Sequence, residues 1–176
     1  MKVSLDISVP SSLWRGLPRA RAIARETIAA AAAESGAALR EGVEVSLCLA
    51  DDEALRALNS RWRGIDKPTN VLSFPAKPVD AVADRVAALS ERGYRGPVHS
   101  PLGDIALAYE TLAREAEDLG VPLADHYRHL LAHGFLHLIG YDHETDAEAE
   151  RMEALETKIL ARLGAADPYA REFIGG

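Results

Sequence analysis

The chain is short of the residues that staple, export or insert a protein. One cysteine, Cys48, stands among 176 residues, so no intrachain disulfide can form and a disulfide-framed secreted scaffold is excluded. No apolar run approaches the ~20 residues that cross a bilayer, so no membrane association is expected. The stretch Met1 to Ile7 alternates apolar and polar residues and carries Asp6. It lacks the unbroken apolar segment and small-residue cleavage site of an export signal, and a cytoplasmic location is expected. Positive charge is also scarce. Twenty Lys and Arg face 27 Asp and Glu, a net charge of -7 that on its face argues against a nucleic-acid binder. The distribution softens this, because Glu144 to Lys158 alone carries -4, leaving -3 for the remainder. Arg61, Arg63 and Lys67 meanwhile surround a single acid, Asp66. Bulk charge governs long-range steering rather than what one cleft can hold.

Hydrophobic residues at 48% and charged residues at 27% are ordinary for a globular protein, and the length fits one domain spanning 1–176. Lys2 to Val9 alternates like a half-buried strand, and Val43 to Ala50 does so with Val43, Val45, Leu47 and Leu49 on one face. An alanine-rich helix from Arg19 to Ser35 is stopped by Gly36. Asp51 or Asp52 caps a second helix to about Trp62. Asn70 to Phe74 reads as a strand stopped by Pro75, and Leu102 to Ala108 as another. Residues 76–101, punctuated by Pro78, Gly93, Gly96, Pro97 and Pro101, read as a surface insertion. Helices follow over Glu110 to Leu119 and from Pro122 to Ile139. Thr145 and Glu148 then form a capping box that opens a last amphipathic helix to about Leu163, its core face built from Met152, Leu155, Ile159 and Leu160. The expectation is an α+β fold: a small mixed sheet of about four strands packed with about five helices, one of them buried and histidine-bearing.

Five of the six histidines lie between His126 and His143. On a helix, His126, His129, His133 and His137 form a stripe about 80° wide on an otherwise apolar element, so the stripe faces an interior or a cleft. Buried imidazoles need partners, and a metal ion is the simplest. His133 and His137, at i and i+4, place two ring nitrogens one turn apart, and Gly140 permits the turn that returns His143 as a third ligand. Imidazole-only ligation suits zinc first, with nickel or copper as substitutes, and three protein ligands leave one position open. Asp142 and His129 are candidate supports for a ligand tautomer. His126 and His129 are otherwise read as satisfied core or cleft-edge residues, and Cys48 as a core residue. The spacing is shared with metzincin proteases, which carry a glutamate base directly after the first histidine. Here that position is Gly134, which disfavours a metalloprotease and is read as leaving space beside the metal for backbone or substrate.

Leu58 to Pro75 joins a helix to a strand through Leu58-Asn59-Ser60-Arg61-Trp62-Arg63 and Asp66-Lys67-Pro68-Thr69-Asn70-Val71-Leu72-Ser73-Phe74-Pro75. This segment, the string His133-Gly134-Phe135-Leu136-His137-Leu138-Ile139-Gly140-Tyr141-Asp142-His143 and the shorter Leu102-Gly103-Asp104-Ile105 resemble, in order, the motifs of the YbeY family of bacterial rRNA maturation factors. The histidine string is the specific one. The resemblance implies a zinc-dependent, single-strand-type endoribonuclease, with His133, His137 and His143 as zinc ligands and Arg63 as the catalytic arginine. It implies a role in 3′-end maturation of small-subunit rRNA and in ribosome quality control. The implied partners are rRNA and the small subunit, with ribosomal or assembly proteins alongside, and no DNA. Arg61 and Lys67 then become candidate contacts to the RNA backbone, and Asp104 a weak candidate for the cleft. No general base stands out. The alternatives are a non-catalytic ribosome assembly factor with a structural zinc, and behind it a metalloprotease.

Overall fold

A computed structural model of the chain describes residues 3–37, 39, 42–76 and 100–170. In chain order the elements are β1 (Ser4–Ser8), a 3-10 turn (Ser12–Gly16), α1 (Ala20–Ser35), β2 (Val43–Ala50), α2 (Asp52–Arg63), β3 (Val71–Pro75), β4 (Ser100–Ala108), α3 (Tyr109–Leu119), α4 (Leu123–Leu138) and α5 (Asp146–Arg162). This is the α+β architecture the sequence implies, with a mixed four-stranded sheet and five α-helices among the described residues.

The sheet has the order β1-β2-β4-β3, with β1, β2 and β4 parallel and β3 antiparallel at the edge beside β4. Period-two alternation gives its faces different fates. Val43, Val45, Leu47 and Leu49 enter the main core, which they share with residues of α1 and α4. Cys48 stands on the other side, with Ala50, Leu55, Leu72, Ala106 and Ala108, where α2 covers one end. Strand β4 would break this pattern, since Leu102 and Ile105 are three apart, yet both are buried in the main core. A bulge resolves it. Glu44 pairs with Pro101 and Val45 with Gly103, so Leu102 is the extra residue and the parity resets.

Helix α4 is the central element, in contact with α1, α3, α5, β3 and β4. Tyr127, Leu131, Phe135 and Leu136 have no exposed surface, and each such side chain contributes roughly 1.5–3 kcal/mol by leaving water. The Tyr127 hydroxyl donates to the Ala20 carbonyl at 3.1 Å, and burial raises its pKa. Trp14, on a short turn the sequence does not announce, packs edge-on to Tyr109 and donates its indole N–H to the Ala50 carbonyl at 2.8 Å.

The ends of elements fall close to their signals. Asp51 caps α2 by accepting from the Ala54 N–H at 2.9 Å, and Thr145 with Glu148 forms the capping box of α5. Pro75, expected to stop β3, is instead its last residue, paired with Gly103, and the Ala76 N–H continues the ladder to the Leu102 carbonyl at 3.1 Å. Proline is tolerated because β3 is an edge strand. Ser100 and Pro101 belong to β4, so the expected insertion 76–101 is strand at one end. Its remainder, 77–99, including His99, lies outside the described residues.

Gly103 sits where β3, β4 and α4 converge. At φ 151° a Cβ there would lie 2.4 Å from the Phe74 carbonyl oxygen and 2.7 Å from Leu138 Cδ2. Gly103→Ala is therefore expected to destabilise the protein by about 2–3 kcal/mol, read as a lower urea midpoint at unchanged slope. A midpoint equal to wild type would show that the approach is looser than described.

Candidate metal centre

Helix α4 brings His133 and His137 to the surface only at its last two turns. Both are half-buried while their neighbours Ala132, Gly134, Leu136 and Leu138 are buried. After Leu138 the chain reverses through Gly140 at φ 101°, with the Gly140 N–H donating to the His137 carbonyl at 3.2 Å and the Tyr141 N–H to the Leu136 carbonyl at 3.0 Å. The loop then delivers His143, whose backbone N–H donates to Asp142 Oδ1 at 2.8 Å.

One ring nitrogen from each of His133, His137 and His143 lies within 4.8 Å of the other two. The Nε2 atoms of His133 and His137 are 3.0 Å apart. Tetrahedral nitrogens around a zinc ion at ~2.0–2.1 Å would stand about 3.3 Å from one another, so the donor set fits a single ion of that size. Burial, with the neighbouring His133 and His143, holds His137 below the usual histidine pKa and favours the neutral ring that ligates. The three imidazoles could hold a metal ion.

Behind them lies a carboxylate. Glu156 of α5 has no exposed surface, and its Oε1 is 2.6 Å from His133 Nδ1. Its Oε2 meets His129 Nε2 at 3.3 Å and accepts from the Tyr169 hydroxyl. Burial acts to raise the Glu156 pKa, but hydrogen bonds from His129, His133 and Tyr169 outweigh it and hold the carboxyl at about 2. An ionised carboxylate only accepts, so His133 donates from Nδ1, and when neutral it keeps its Nε2 lone pair toward the cluster. Glu156 is thus set apart from the other acids of the last helix, on its core side. The signal was present: Met152, Leu155, Glu156, Ile159 and Leu160 follow i, i+3, i+4, i+7, i+8, which places an acid on the core stripe. A parallel pair supports the helix further up, where His126 Nε2 lies 3.3 Å from Glu115 Oε1. Glu115 also accepts from Asn70 Nδ2 at 2.9 Å, tying α3 and α4 to the start of β3.

The cluster opens into a cleft of about 540 Å³ lined by Arg63, Asn70, Ser73, Tyr141, Asp142 and Glu144 besides the histidines. Arg63 reaches it because α2 ends at Gly64, in the left-handed region at φ 69°. The following loop is pinned by Asn59 Nδ2 donating to the Lys67 carbonyl at 3.0 Å and by a two-pronged Arg56–Asp66 pair at 2.7 and 3.0 Å. Asp66 is thereby neutralised by Arg56. Arg63 is exposed, with Nη2 3.4 Å from the Ser73 carbonyl and its guanidinium over the Phe74 ring.

Other expected residues sit elsewhere. Arg61 stacks over the exposed Trp62 ring, and Lys67 is exposed; neither lines the cleft. His129 meets Glu156 rather than the three-histidine cluster. Asp142 lines the cleft, but its described bond is to the backbone of His143. Asp104 belongs to a groove on the opposite face of the sheet, with Asp6, Ser46 and Cys48, so it does not serve the cleft. Of the two readings of Gly134, space for backbone or for substrate, the close approach of the sheet fits the first and not the second. A Cβ there would lie 3.1 Å from Ser73 Oγ and 3.2 Å from Ile105 Cγ2, and the Ser73 hydroxyl donates to the Gly134 carbonyl at 3.1 Å. This glycine is where α4 presses on the sheet.

Fold and site together define an α+β protein that presents a three-imidazole cluster at the mouth of a polar cleft. Comparison with known proteins sharpens the class. Residues 16–164 match the family model described as Endoribonuclease YbeY. A Bradyrhizobium relative named Endoribonuclease YbeY is 50% identical over 167 residues, covering 94% of this chain and 91% of its own. A Methylocella silvestris relative of the same name is 47% identical over 169 residues, covering 96% and 87%. The solution structure of a Thermotoga maritima protein shares the fold at TM-score 0.50 and 21% identity, over 93% of this chain and 97% of that one. The chain belongs to the YbeY endoribonuclease family.

The Asp142 contact distinguishes a loop cap from a partner of an imidazole ring. Asp142→Asn keeps an acceptor for the His143 N–H and is expected to leave thermal stability unchanged, whereas Asp142→Ala loses about 1 kcal/mol. Equal losses in both variants would show that the charge, not the backbone bond, is what matters.

Proposed function

We propose that this chain is a zinc-dependent endoribonuclease that hydrolyses phosphodiesters in single-stranded regions of RNA, acting in the cytoplasm on the 3′ end of small-subunit rRNA and in ribosome quality control. The observation that carries it is the juxtaposition of three neutral-capable imidazoles and an arginine across one open cleft. Family membership supports the same activity. Its partners are then rRNA and the small subunit, with ribosomal or assembly proteins presenting the substrate.

His133, His137 and His143 hold the ion. Bound there, zinc supplies Lewis acidity toward a phosphoryl oxygen and makes water a stronger acid near neutral pH. Arg63 faces the same space with a planar fork that matches two phosphate oxygens, and it offsets the charge that grows on them as the bond breaks. Its present partner, the Ser73 carbonyl at 3.4 Å, is weak enough to be exchanged for phosphate. Asn70 is held by Glu115 and the Val71 N–H, which leaves it fixed rather than free to follow substrate. Among the described residues no helix is long and apolar enough to cross a membrane.

A metalloprotease is disfavoured on steric as well as chemical grounds. A Cβ at position 134 would crowd Ser73 Oγ and Ile105 Cγ2 at 3.1 and 3.2 Å, and the chain carries glycine where that mechanism needs its glutamate base.

The test uses wild type, His137→Ala and Arg63→Ala, each assayed on small-subunit rRNA precursor with metal content measured on the same sample. The expected result is cleavage by wild type, loss of metal and activity in His137→Ala, and full metal with activity down about 10²–10³-fold in Arg63→Ala. Equal cutting by all three would identify a contaminant and put the non-catalytic assembly factor first. Arg63→Lys keeps the charge but not the fork, so it should remain impaired by about tenfold or more. Wild-type rates in that variant would remove the two-oxygen role.

A further inference from the structure

A buried acid in the middle of an apolar helix stripe needs a reason. Met152, Ile159 and Leu160 flank Glu156 on the core face of α5, and an apolar residue there would fill the space without the cost of burying charge. The site has been built around the charge instead. Three donors from two other parts of the chain converge on one carboxylate: His129 and His133 from α4, and Tyr169 from the segment after α5. They are divided by oxygen. Oε2 takes His129 and Tyr169, which fixes the rotation of the carboxylate. Oε1 is left to a single short contact, 2.6 Å to His133 Nδ1.

The division has a consequence for the cleft. His133 stacks on His143 with ring centroids 5.7 Å apart and planes 22° from parallel, and its Nε2 lies 3.0 Å from that of His137. A half-turn of the ring about χ2 would put Cε1–H where Nε2 stands and take Nδ1 off Glu156, and a proton on Nε2 would aim a donor rather than a lone pair at the other two imidazoles. The Oε1 contact forbids both, since it demands a proton on Nδ1 and one ring orientation.

We propose that Glu156 is a positioning residue of the metal centre: clamped by His129 and Tyr169, it locks His133 as the Nδ1–H tautomer so that Nε2 is presented to the ion. This rests on the reading of the three histidines as metal ligands. It assigns α5 and the segment carrying Tyr169 a part in the site, although neither supplies a ligand.

The test pairs zinc affinity with a readout that needs no metal. Purified wild type, Glu156→Gln and Glu156→Leu are titrated with zinc against a chromogenic chelator, after circular dichroism and thermal melting have shown that each is folded. The His133 tautomer is read from ring nitrogen NMR shifts in the metal-free proteins at one alkaline pH. The expected result is Nδ1–H in wild type and transfer of the proton to Nε2 in Glu156→Leu. Zinc affinity falls about tenfold in Glu156→Gln, which keeps the shape and one acceptor, and about a hundredfold in Glu156→Leu. A purely structural role would lower the melting temperature and leave the affinity of the folded variants and the tautomer alone. The proposal is overturned by affinities within about threefold of wild type in the folded variants, or by Nε2–H in wild type. If Glu156→Leu does not fold, Glu156→Gln and the wild-type tautomer decide. A wild type that takes up no zinc yet shows Nδ1–H would overturn the ligand reading instead, so the two failures are separable.

Discussion

A carboxylate with no exposed surface stays ionised only when donors surround it, because water is not there to do so. Glu156 meets that demand from α4 and from Tyr169, and in doing so it couples three things that the chain order keeps apart. The last helix is docked by a polar contact as well as by Met152, Ile159 and Leu160. Helix α4 is held in one rotation about its axis, which decides which residues face the cleft. The segment after α5 is drawn back over the imidazole stripe. The rest of the cleft inherits its geometry from this arrangement: with the rotation of α4 fixed, His133 and His137 look outward, and the turn at Gly140 brings His143 to meet them.

The opposite side of α4 is fixed by closeness rather than by charge. Gly134 faces the Ser73 and Ile105 side chains, and Gly103 faces the Phe74 carbonyl and the Leu138 side chain, so the helix is pressed onto β3 and β4 at two points where a glycine leaves room for the approach. Strand β3 carries both consequences. Its Ser73 bonds the helix backbone, and its carbonyl at the same residue receives Arg63 from the end of α2. Arginine and imidazoles face each other because both are referred to one short edge strand. The bulge between β2 and β4 lets β4 bury Leu102 and Ile105 on the same face despite their spacing.

Most of this fold could be read from pattern and punctuation. The alternation in Val43–Ala50, the cap at Asp51, the stops at Gly36 and Gly120 and the capping box at Thr145 are local signals, and local signals survive folding. The three histidines were legible for the same reason, since i, i+4 spacing and a turn glycine are properties of a short segment. What escaped depends on contacts between distant residues. Glu156 looked like one acid in an acidic helix, although its phase with Met152 and Ile159 marked it as inward-facing. Which of its two readings Gly134 serves, space for backbone or for substrate, could not be seen without the strand beneath it. Asp104 alternates with Ile105, but Leu102 and Ile105 are both buried three residues apart, and only the bulge in the sheet shows which side of the strand Asp104 takes. Trp14 was invisible because its turn is short and its partners, Ala50, Tyr109 and Tyr127, are remote.

The account stands on His133, His137 and His143 acting together on one ion. The most direct measurement is diffraction at the zinc absorption edge from crystals grown with stoichiometric zinc. The account predicts one anomalous peak bounded by a nitrogen of each of the three imidazoles at ~2.0–2.1 Å, with Glu156 still on His133 Nδ1. A zinc-replete crystal with no peak among the three rings, or with its peak held by other residues, would contradict it.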